Sequence, residues 1–241
     1  MNEILSIAII IILSYFVGSI PTGVIVSKLF FGFDLRIKGS GNMGSTNAFR
    51  TLGWKWGLFV QIFDLAKGYI AVAVIAGILG KGISIPNATF FEDLTIIKMI
   101  AGVTAVCGHI WSVFVGFKGG KGVNTAAGML IGLVPVDVSI AAAAFILAVV
   151  FSGYVSLGSI VAAFSIPSSM LVRYNIFGAN IEGYHLLIYF SLGLMMLVIY
   201  THRANIGRLI KGTENRFSKL HLIRLKHREN KQSIDKSESE K

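Results

Sequence analysis

The residues best suited to chemistry lie in a short polar segment between two long apolar runs. Residues 38–50 have the sequence KGSGNMGSTNAFR, with Lys38 and Arg50 at its ends. Glycine permits positive φ and close approach of a ligand, so the N–H groups of such a loop can turn toward one anion. The candidate phosphate ligands are Gly39, Ser40, Gly41, Asn42, Ser45, Thr46 and Asn47. This first segment predicts a phosphate site beside the membrane surface.

A second glycine-rich segment, residues 117–125, has the sequence FKGGKGVNT and leads into an apolar run. Lys118 and Lys121 supply two ammonium groups, and a helix that starts here adds free N–H donors and a partial positive charge. The other candidates in this segment are Gly119, Gly120, Gly122 and Thr125. The segment also predicts anion binding.

A third polar segment, residues 202–216, follows the last apolar run with the sequence HRANIGRLIKGTENR. His202 and Asn205 are spaced i, i+3, which places them on one face of a continuing helix. The single acid, Glu214, is expected to pair with neighbouring cations. The basic residues are Arg203, Arg208, Lys211 and Arg216.

Asp64 and Lys67 form an i, i+3 pair inside an apolar run. Ionisable residues within a membrane span are functional candidates by default. The same spacing lets the two side chains neutralise each other, which would make them structural support for the site.

The composition indicates a membrane protein. The 241 residues are 54% hydrophobic and 14% charged, with a mean hydropathy of +0.72, whereas a soluble domain carries roughly 25% charged residues. The apolar runs reach the ~20 residues that cross a bilayer as a helix. We predict an all-α polytopic membrane protein, with one integral-membrane domain over 1–217 and a basic cytoplasmic tail over 218–241. The single cysteine, Cys107, excludes an intramolecular disulfide.

The distribution of charge predicts the orientation. Residues 201–241 hold 11 Lys or Arg and 5 Asp or Glu, and loops 32–53 and 116–124 are also basic. The positive-inside rule places these three regions in the cytoplasm and the N-terminus outside. The predicted spans are 4–31, 54–79, 95–115, 184–200 and those within 125–172.

The apolar block 125–172 decides the number of spans. It starts inside and must end outside, so it crosses an odd number of times. The block is broken near Pro135-Val136-Asp137 and near Ser152-Gly153. Three crossings, at 125–135, 137–151 and 154–172, use the whole block and predict a seven-helix bundle. The first is short, and the alternative is five spans plus short or re-entrant helices.

Several common motifs are excluded. Residues 39–44 satisfy G-x-G-x-x-G, but no strand precedes them, so they do not predict a dinucleotide fold. The lysine loop does not have the spacing of a P-loop, and neither G-x-S-x-G nor H-E-x-x-H occurs. The sequence therefore indicates no cofactor, no metal and no nucleic acid.

Together, GSGNMGSTNAFR, FKGGKGVNT and HRANIGRLIKGTENR resemble the three cytoplasmic motifs of the PlsY family, in the same order and with a similar pattern of spans. The resemblance extends from Ile4 to about Arg216. It implies a bacterial membrane enzyme, with its site at the cytoplasmic face, that transfers an acyl group from acyl phosphate to the sn-1 hydroxyl of glycerol 3-phosphate. It also implies a soluble partner that makes acyl phosphate, contact with membrane lipids, seven spans and an external N-terminus.

The resemblance implies roles for matching residues. Ser40 and Arg50 are the essential pair of the first motif, the Lys118–Gly122 loop is the phosphate loop, and His202 and Asn205 are the important residues of the third motif, with Glu214 as its structural acid. Our own hypotheses add that Arg203 or Arg208 assists the phosphate loop, that His202 orients the attacking hydroxyl or accepts its proton, and that Asn205 fixes the geometry. A substrate phosphate as proton acceptor, and an acyl-enzyme on Ser40, stay open.

Other classes of protein also fit the residues. A transporter of phosphate esters or other anions would have basic loops, although transporters place substrates near the bilayer midplane in repeated halves. A lipid-binding scaffold would need fewer directed N–H donors. Acyl-CoA or acyl carrier protein as the direct donor also stays open.

Overall fold

The computed structural model describes residues 2–85 and 89–216, and the described chain is helical. The tail predicted over 218–241 lies outside the described residues. The α-helices are α1 (Glu3–Ser19), α2 (Thr22–Phe31), α3 (Ser45–Leu52), α4 (Trp54–Tyr69), α5 (Gly77–Leu79), α6 (Asp93–Ile110), α7 (Val123–Leu133), α8 (Pro135–Ser152), α9 (Val155–Asn175), α10 (Tyr184–Thr201) and α11 (Arg203–Ile210). A π-helical stretch, Ile70–Ala76, joins α4 to α5, and two 3₁₀ turns lie at Leu35–Ile37 and Val113–Val115.

Among the described residues, six helical stretches are long and apolar enough to cross a membrane, so the chain is a multi-pass membrane protein. They are Glu3–Phe31, Trp54–Leu79, Asp93–Val115, Pro135–Ser152, Val155–Asn175 and Tyr184–Thr201. The short crossing predicted at 125–135 corresponds to α7, which has 11 residues. At 1.5 Å per residue such a helix spans only about 16 Å, roughly half of a ~30 Å hydrocarbon core.

Proline and glycine end the helices of the 125–172 block where the sequence predicts breaks. Pro135 is the first residue of α8, directly after the end of α7. Gly153 follows α8 with a φ of 78°, a left-handed conformation that glycine adopts without strain. The two breaks leave α8 and α9 packed side by side as an antiparallel pair.

A proline also interrupts the first span. Pro21 has no N–H group and separates α1 from α2, so carbonyls near the break lose their helical partners. Two side chains replace those partners: Ser112 Oγ donates to Ser19 O at 2.5 Å, and Lys67 Nζ donates to Ile20 O at 2.5 Å. The break in the first span is thereby tied to the second and third spans.

Helices α1 and α6 pack closely because small residues face carbonyls across the contact. A Cβ placed on Gly18 would lie 2.0 Å from Ala105 O, and one on Gly108 would lie 2.3 Å from Tyr15 O. Such small residues let backbones approach in membrane bundles. This contact brings the last turn of α6 beside the break in the first span.

Helices α4 and α7 cross in the same way. A Cβ on Gly68 would lie 1.9 Å from Thr125 O, and one on Gly128 would lie 1.8 Å from Leu65 O. The crossing brings the N-terminus of α7 next to the buried Asp64 of α4. It therefore positions the second polar segment.

Candidate active site

The side chain of Asn47 organises the first polar segment. Asn47 is 1% exposed, and its Nδ2 donates to Lys38 O at 3.0 Å, Asn42 O at 2.8 Å and Leu35 O at 3.1 Å. Its Oδ1 accepts from the amide of Ser40 at 2.9 Å. These contacts engage the polar atoms of Asn47 in shaping the loop, and its part in phosphate binding stays a prediction.

The glycines of the first segment also serve its shape. Gly39 and Gly41 have φ of 63° and 73°, and a Cβ on Gly39 would lie 2.2 Å from Asn47 Oδ1. The Asn42 side chain accepts from the amide of Gly44 at 2.9 Å. The amides of Ser40 and Gly44 are therefore bonded within the loop, and its binding of an anion stays a prediction.

A pocket of about 320 Å³ joins the first and second segments. It is lined by Ser40, Asn42, Gly44, Ser45, Thr46, Asn47, Arg50, Asp64, His109, Lys121, Gly122, Val123 and Asn124. We call it the cationic pocket, because Arg50 and Lys121 are on its wall. Lys118 and Thr125 do not line it; Thr125 is fully buried below it, and its Oγ1 finds no partner among the described residues.

Two helix N-termini meet at the cationic pocket. Helix α3 begins at Ser45 and helix α7 at Val123, and no side chain in the described part of the chain caps either start by a hydrogen bond. Asn124 Nδ2 donates to Ser45 Oγ at 2.8 Å and holds the two helix starts together. Because each N-terminus carries free N–H donors and a partial positive charge, the pocket suits an anion.

The glycine turn before α7 is folded against the end of α6. The amide of Gly119 donates to Ile110 O at 3.0 Å, and the amide of Gly120 donates to His109 O at 3.0 Å. These two amides are therefore engaged within the protein, and the part of Gly119 and Gly120 in phosphate binding stays a prediction. Gly122, with a φ of 75°, turns the chain into α7.

A cluster of three buried ionisable side chains, Asp64, Lys67 and His109, lies at the base of the cationic pocket. Lys67 Nζ is 2.5 Å from Asp64 Oδ1, which is the i, i+3 pairing considered from the sequence, and both side chains are almost fully buried. His109 Nδ1 lies 3.8 Å from the same oxygen. The sequence offered no spacing that would link His109 to Asp64, because only the packing of α4 on α6 brings them together.

The third segment lines a separate pocket of about 340 Å³. Its lining residues are Val155, Ser156, Ser159, His202, Asn205, Glu214, Asn215 and Arg216. Arg216 Nε donates to Ser152 O at 3.0 Å, which ties this segment to the turn between α8 and α9. We call this the histidine pocket; it does not share lining residues with the cationic pocket.

The imidazole of His202 is oriented by its own helix. Its Nδ1 lies 2.9 Å from Val198 O. A carbonyl can only accept, so Nδ1 donates this hydrogen bond, and in the neutral imidazole Nε2 is the acceptor. Asn205, one turn along, donates to Glu214 Oε1 at 2.7 Å.

Glu214 is the anchor of the third segment. Its carboxylate accepts from Asn205 and, at 2.6 Å, from Arg208 Nε. The hydrogen bond from Asn205, and then that from Arg208, lower the pKa of Glu214 below its ordinary value. The expected ion pairing of Glu214 is therefore present in the structure.

The two arginines named as helpers contact other groups. Arg208 pairs with Glu214, and Arg203 lies over the ring of Tyr200 at 4.4 Å and donates to Tyr200 O. Neither lines the cationic pocket or the histidine pocket. Among the described residues, no group of three His, Cys, Asp or Glu side chains is arranged to hold a metal ion.

Comparisons with known proteins agree with these features. A family model described as glycerol-3-phosphate acyltransferase matches residues 8–212. Curated relatives with that name from Chlorobaculum tepidum and Chlorobaculum parvum are 47% and 46% identical to this chain. Each alignment covers 87% of this chain and 95% of the relative.

Two solved structures of PlsY, an integral membrane glycerol 3-phosphate acyltransferase, are also similar. The glycerol 3-phosphate form has a TM-score of 0.63 and 34% identity, and the lysophosphatidic acid form has 0.62 and 33%. Each comparison covers 89% of this chain and 97% of the other. These matches confirm the resemblance seen in the three motifs, and the chain belongs to the glycerol-3-phosphate acyltransferase (PlsY) family.

Proposed function

We propose that this protein transfers a fatty acyl group from acyl phosphate to the sn-1 hydroxyl of glycerol 3-phosphate. The products are lysophosphatidic acid and inorganic phosphate. Family membership, the names of the relatives and the two ligands of the similar crystal structures support the acceptor and the product. The acyl phosphate donor follows from the resemblance of the three motifs.

The observation that carries the proposal is the meeting of two uncapped helix N-termini with Arg50 and Lys121 in one pocket. Both substrates are phosphates and repel each other in water. A pocket with two cations and two helix N-termini holds such anions close together. Holding two reactants in a productive geometry can supply ~7–11 kcal/mol of a barrier.

The residues divide between the substrates in our proposal. Lys121 and the start of α7 hold the phosphate of glycerol 3-phosphate, while Ser40, Arg50 and the start of α3 hold the acyl phosphate. Acyl phosphate is a mixed anhydride, so its phosphate leaves readily once the hydroxyl attacks the carbonyl. Donors aimed at the developing oxyanion lower the barrier further, by roughly 3–4 kcal/mol each.

The third segment handles the attacking hydroxyl in this proposal; the resemblance of the motifs supports this role, since the histidine pocket and the cationic pocket share no lining residue. His202 has its Nδ1 proton directed at Val198 O, so Nε2 can orient the hydroxyl or accept its proton. Asn205, held by Glu214, fixes the geometry.

We also infer that α7 completes a seventh crossing. Gly122, before its first residue, lies against Ile110 at the end of α6. Val134, after its last residue, packs in one cluster with Ile181 and Tyr184, at the start of α10. The two ends of α7 thus contact the end of α6 and the start of α10. If α7 crosses the membrane, the chain has seven spans and both pockets face the cytoplasm. If α7 does not cross, the chain has six spans and the two pockets face opposite sides of the membrane.

A donor-comparison assay tests the proposed function. Purified protein in lipid receives labelled glycerol 3-phosphate with acyl phosphate, acyl-CoA or acyl carrier protein, and lysophosphatidic acid is measured. We expect product from acyl phosphate alone, a loss of at least about 100-fold in Ser40→Ala and Lys121→Ala, and a large loss in His202→Gln. Lys81→Ala, a matched lysine removed from an exposed loop on the other side of the bundle, should behave as the wild type.

Two other results would replace this proposal. Product from acyl-CoA or acyl carrier protein would change the donor. No product from any donor, with uptake of labelled glycerol 3-phosphate into sealed proteoliposomes, would make the protein a transporter.

A further inference from the structure

The buried imidazole of His109 is the most unusual group under the cationic pocket. Its side chain is 4% exposed, and both His109 and Asp64 are on the pocket wall. Its Nδ1 finds no hydrogen-bond partner among the described residues and lies 3.8 Å from Asp64 Oδ1. Buried polar atoms usually have a hydrogen-bond partner, so a buried nitrogen without one calls for a structural or functional explanation.

His109 supports the glycine turn by two contacts. Its carbonyl accepts from the amide of Gly120 at 3.0 Å. Its ring fills the space beside Gly120, because a Cβ built on that residue would lie 2.3 Å from Nε2. The turn therefore rests on the imidazole, and the next residue, Lys121, reaches the cationic pocket.

The charges of Asp64 and Lys67, which lie beside His109, neutralise each other. An unpaired carboxylate at Asp64 would repel an anion in the same pocket. Lys67 Nζ lies 2.5 Å from Asp64 Oδ1 and neutralises that charge. The same ammonium group donates to Ile20 O, which fixes the pair against the break in the first span. The imidazole is thus placed between a fixed, neutralised pair and the turn that carries Lys121.

We propose that His109 is a positioning residue for the anion site. Its side chain fixes the Gly119–Gly120 turn and thereby determines the position of the Lys121 ammonium group in the cationic pocket. The role of Asp64 and Lys67 is to provide a rigid base for the ring. This inference rests on the proposed function for the identity of the anion, glycerol 3-phosphate, while the contacts that support it belong to the protein alone.

Steady-state kinetics of single and double variants test this inference. We expect His109→Ala to raise KM for glycerol 3-phosphate about tenfold, a change of about 1.4 kcal/mol in binding, with kcat changed far less. Loss of folded protein alone would instead lower the apparent kcat and leave KM unchanged. The matched control, His185→Ala, removes an exposed histidine at the other end of the bundle and should leave both constants unchanged.

A double-mutant cycle shows whether ring and turn act together. Gly120→Ala forces a methyl group toward the ring and should also raise KM about tenfold. If the two act as one unit, the double variant His109→Ala/Gly120→Ala is no worse than either single variant, since the methyl group then has room. Effects that multiply to about 100-fold would overturn the inference.

Hydrogen exchange provides a readout that needs no turnover. In His109→Ala the amides of residues 117–122 should exchange at least about tenfold faster, while α8 and α9 keep their protection. His109→Gln, which keeps most of the side-chain volume against the turn, should be milder in both assays and serves if the alanine variant does not fold. Unchanged exchange in residues 117–122 would overturn the inference, whereas a wild type without acyltransferase activity would overturn only the proposed function.

Discussion

At the scale of single residues, the polar side chains divide into those that shape the site and those left for a ligand. Asn47 and Glu214 have their polar atoms engaged by neighbours. Arg50 and Lys121 are exposed on the pocket wall. A list of polar residues in a motif does not separate these groups, because both are equally polar.

The titration of Glu214 can be predicted at this scale. Its pKa is lower in the folded protein than in the unfolded chain, so the unfolded state binds more protons at acidic pH and the contribution of Glu214 to stability rises with pH. That contribution is complete above the ordinary pKa of a glutamate, about 4.3, and is lost as pH falls through the lowered pKa. The third segment should therefore keep its Glu214 contacts throughout the neutral range.

The largest cause of this shift is the hydrogen bond from Asn205. We expect Asn205→Ala to raise the pKa of Glu214 toward its ordinary value, measured by carboxyl NMR with labelled glutamate and assigned with Glu214→Gln. Asn175→Ala, at the other end of the bundle, is the control. An unchanged titration in Asn205→Ala would contradict the assigned cause.

At the scale of the elements, close helix crossings determine where the site residues lie. The start of α7 reaches Asp64 because Gly68 and Gly128 let α4 and α7 approach. The end of α6 reaches the first span because Gly18 and Gly108 do the same for α1 and α6. The end of α6 and the start of α7, which these two crossings position, both contribute residues to the cationic pocket.

The α4–α7 crossing makes a prediction about Gly128. A methyl group there would meet Leu65 O, so we expect Gly128→Ala to destabilise the protein by about 1–3 kcal/mol and to impair activity. In Gly193→Ala the added Cβ has nothing within 4 Å, and the better helix propensity of alanine should stabilise by up to about 1 kcal/mol. Thermal unfolding in detergent compares the two variants, and equal midpoints would show that the crossing tolerates a side chain.

At the scale of the whole molecule, the direction of α7 decides how the two pockets are related. The ion pair of the buried Asp137 with the partly exposed Arg173 joins the start of α8 to the end of α9, at 2.5 Å. The contact of Arg216 with Ser152 O joins the opposite end of that hairpin to the third segment. If α7 crosses the membrane, the latter end faces the same side as Lys121.

Cysteine labelling tests this orientation. In a Cys107→Ser background, we expect Lys81→Cys and Ile176→Cys to react with an impermeant reagent added outside intact cells. Phe117→Cys and Asn215→Cys should react only after the membrane is opened. Labelling of Asn215→Cys from outside, with Phe117→Cys protected, would show that α7 does not cross and that six spans are present.

The amino-acid sequence by itself determined the class of protein, the long spans, the breaks at Pro135 and Gly153, and the three polar segments. These depend on local properties: the length of apolar runs, the missing N–H of proline, the conformational freedom of glycine, and hydrogen-bonding groups close in the chain.

Only the tertiary structure decided which of these segments meet. The pairing of Asn124 with Ser45, and the approach of His109 to Asp64, depend on the packing of helices that lie far apart in the chain. It likewise showed that the amides of Gly119 and Gly120 are engaged, and that the donors facing the cationic pocket come from the starts of α3 and α7. The physical reason is that packing is a long-range property, since each contact depends on the shapes of both helices at their crossing.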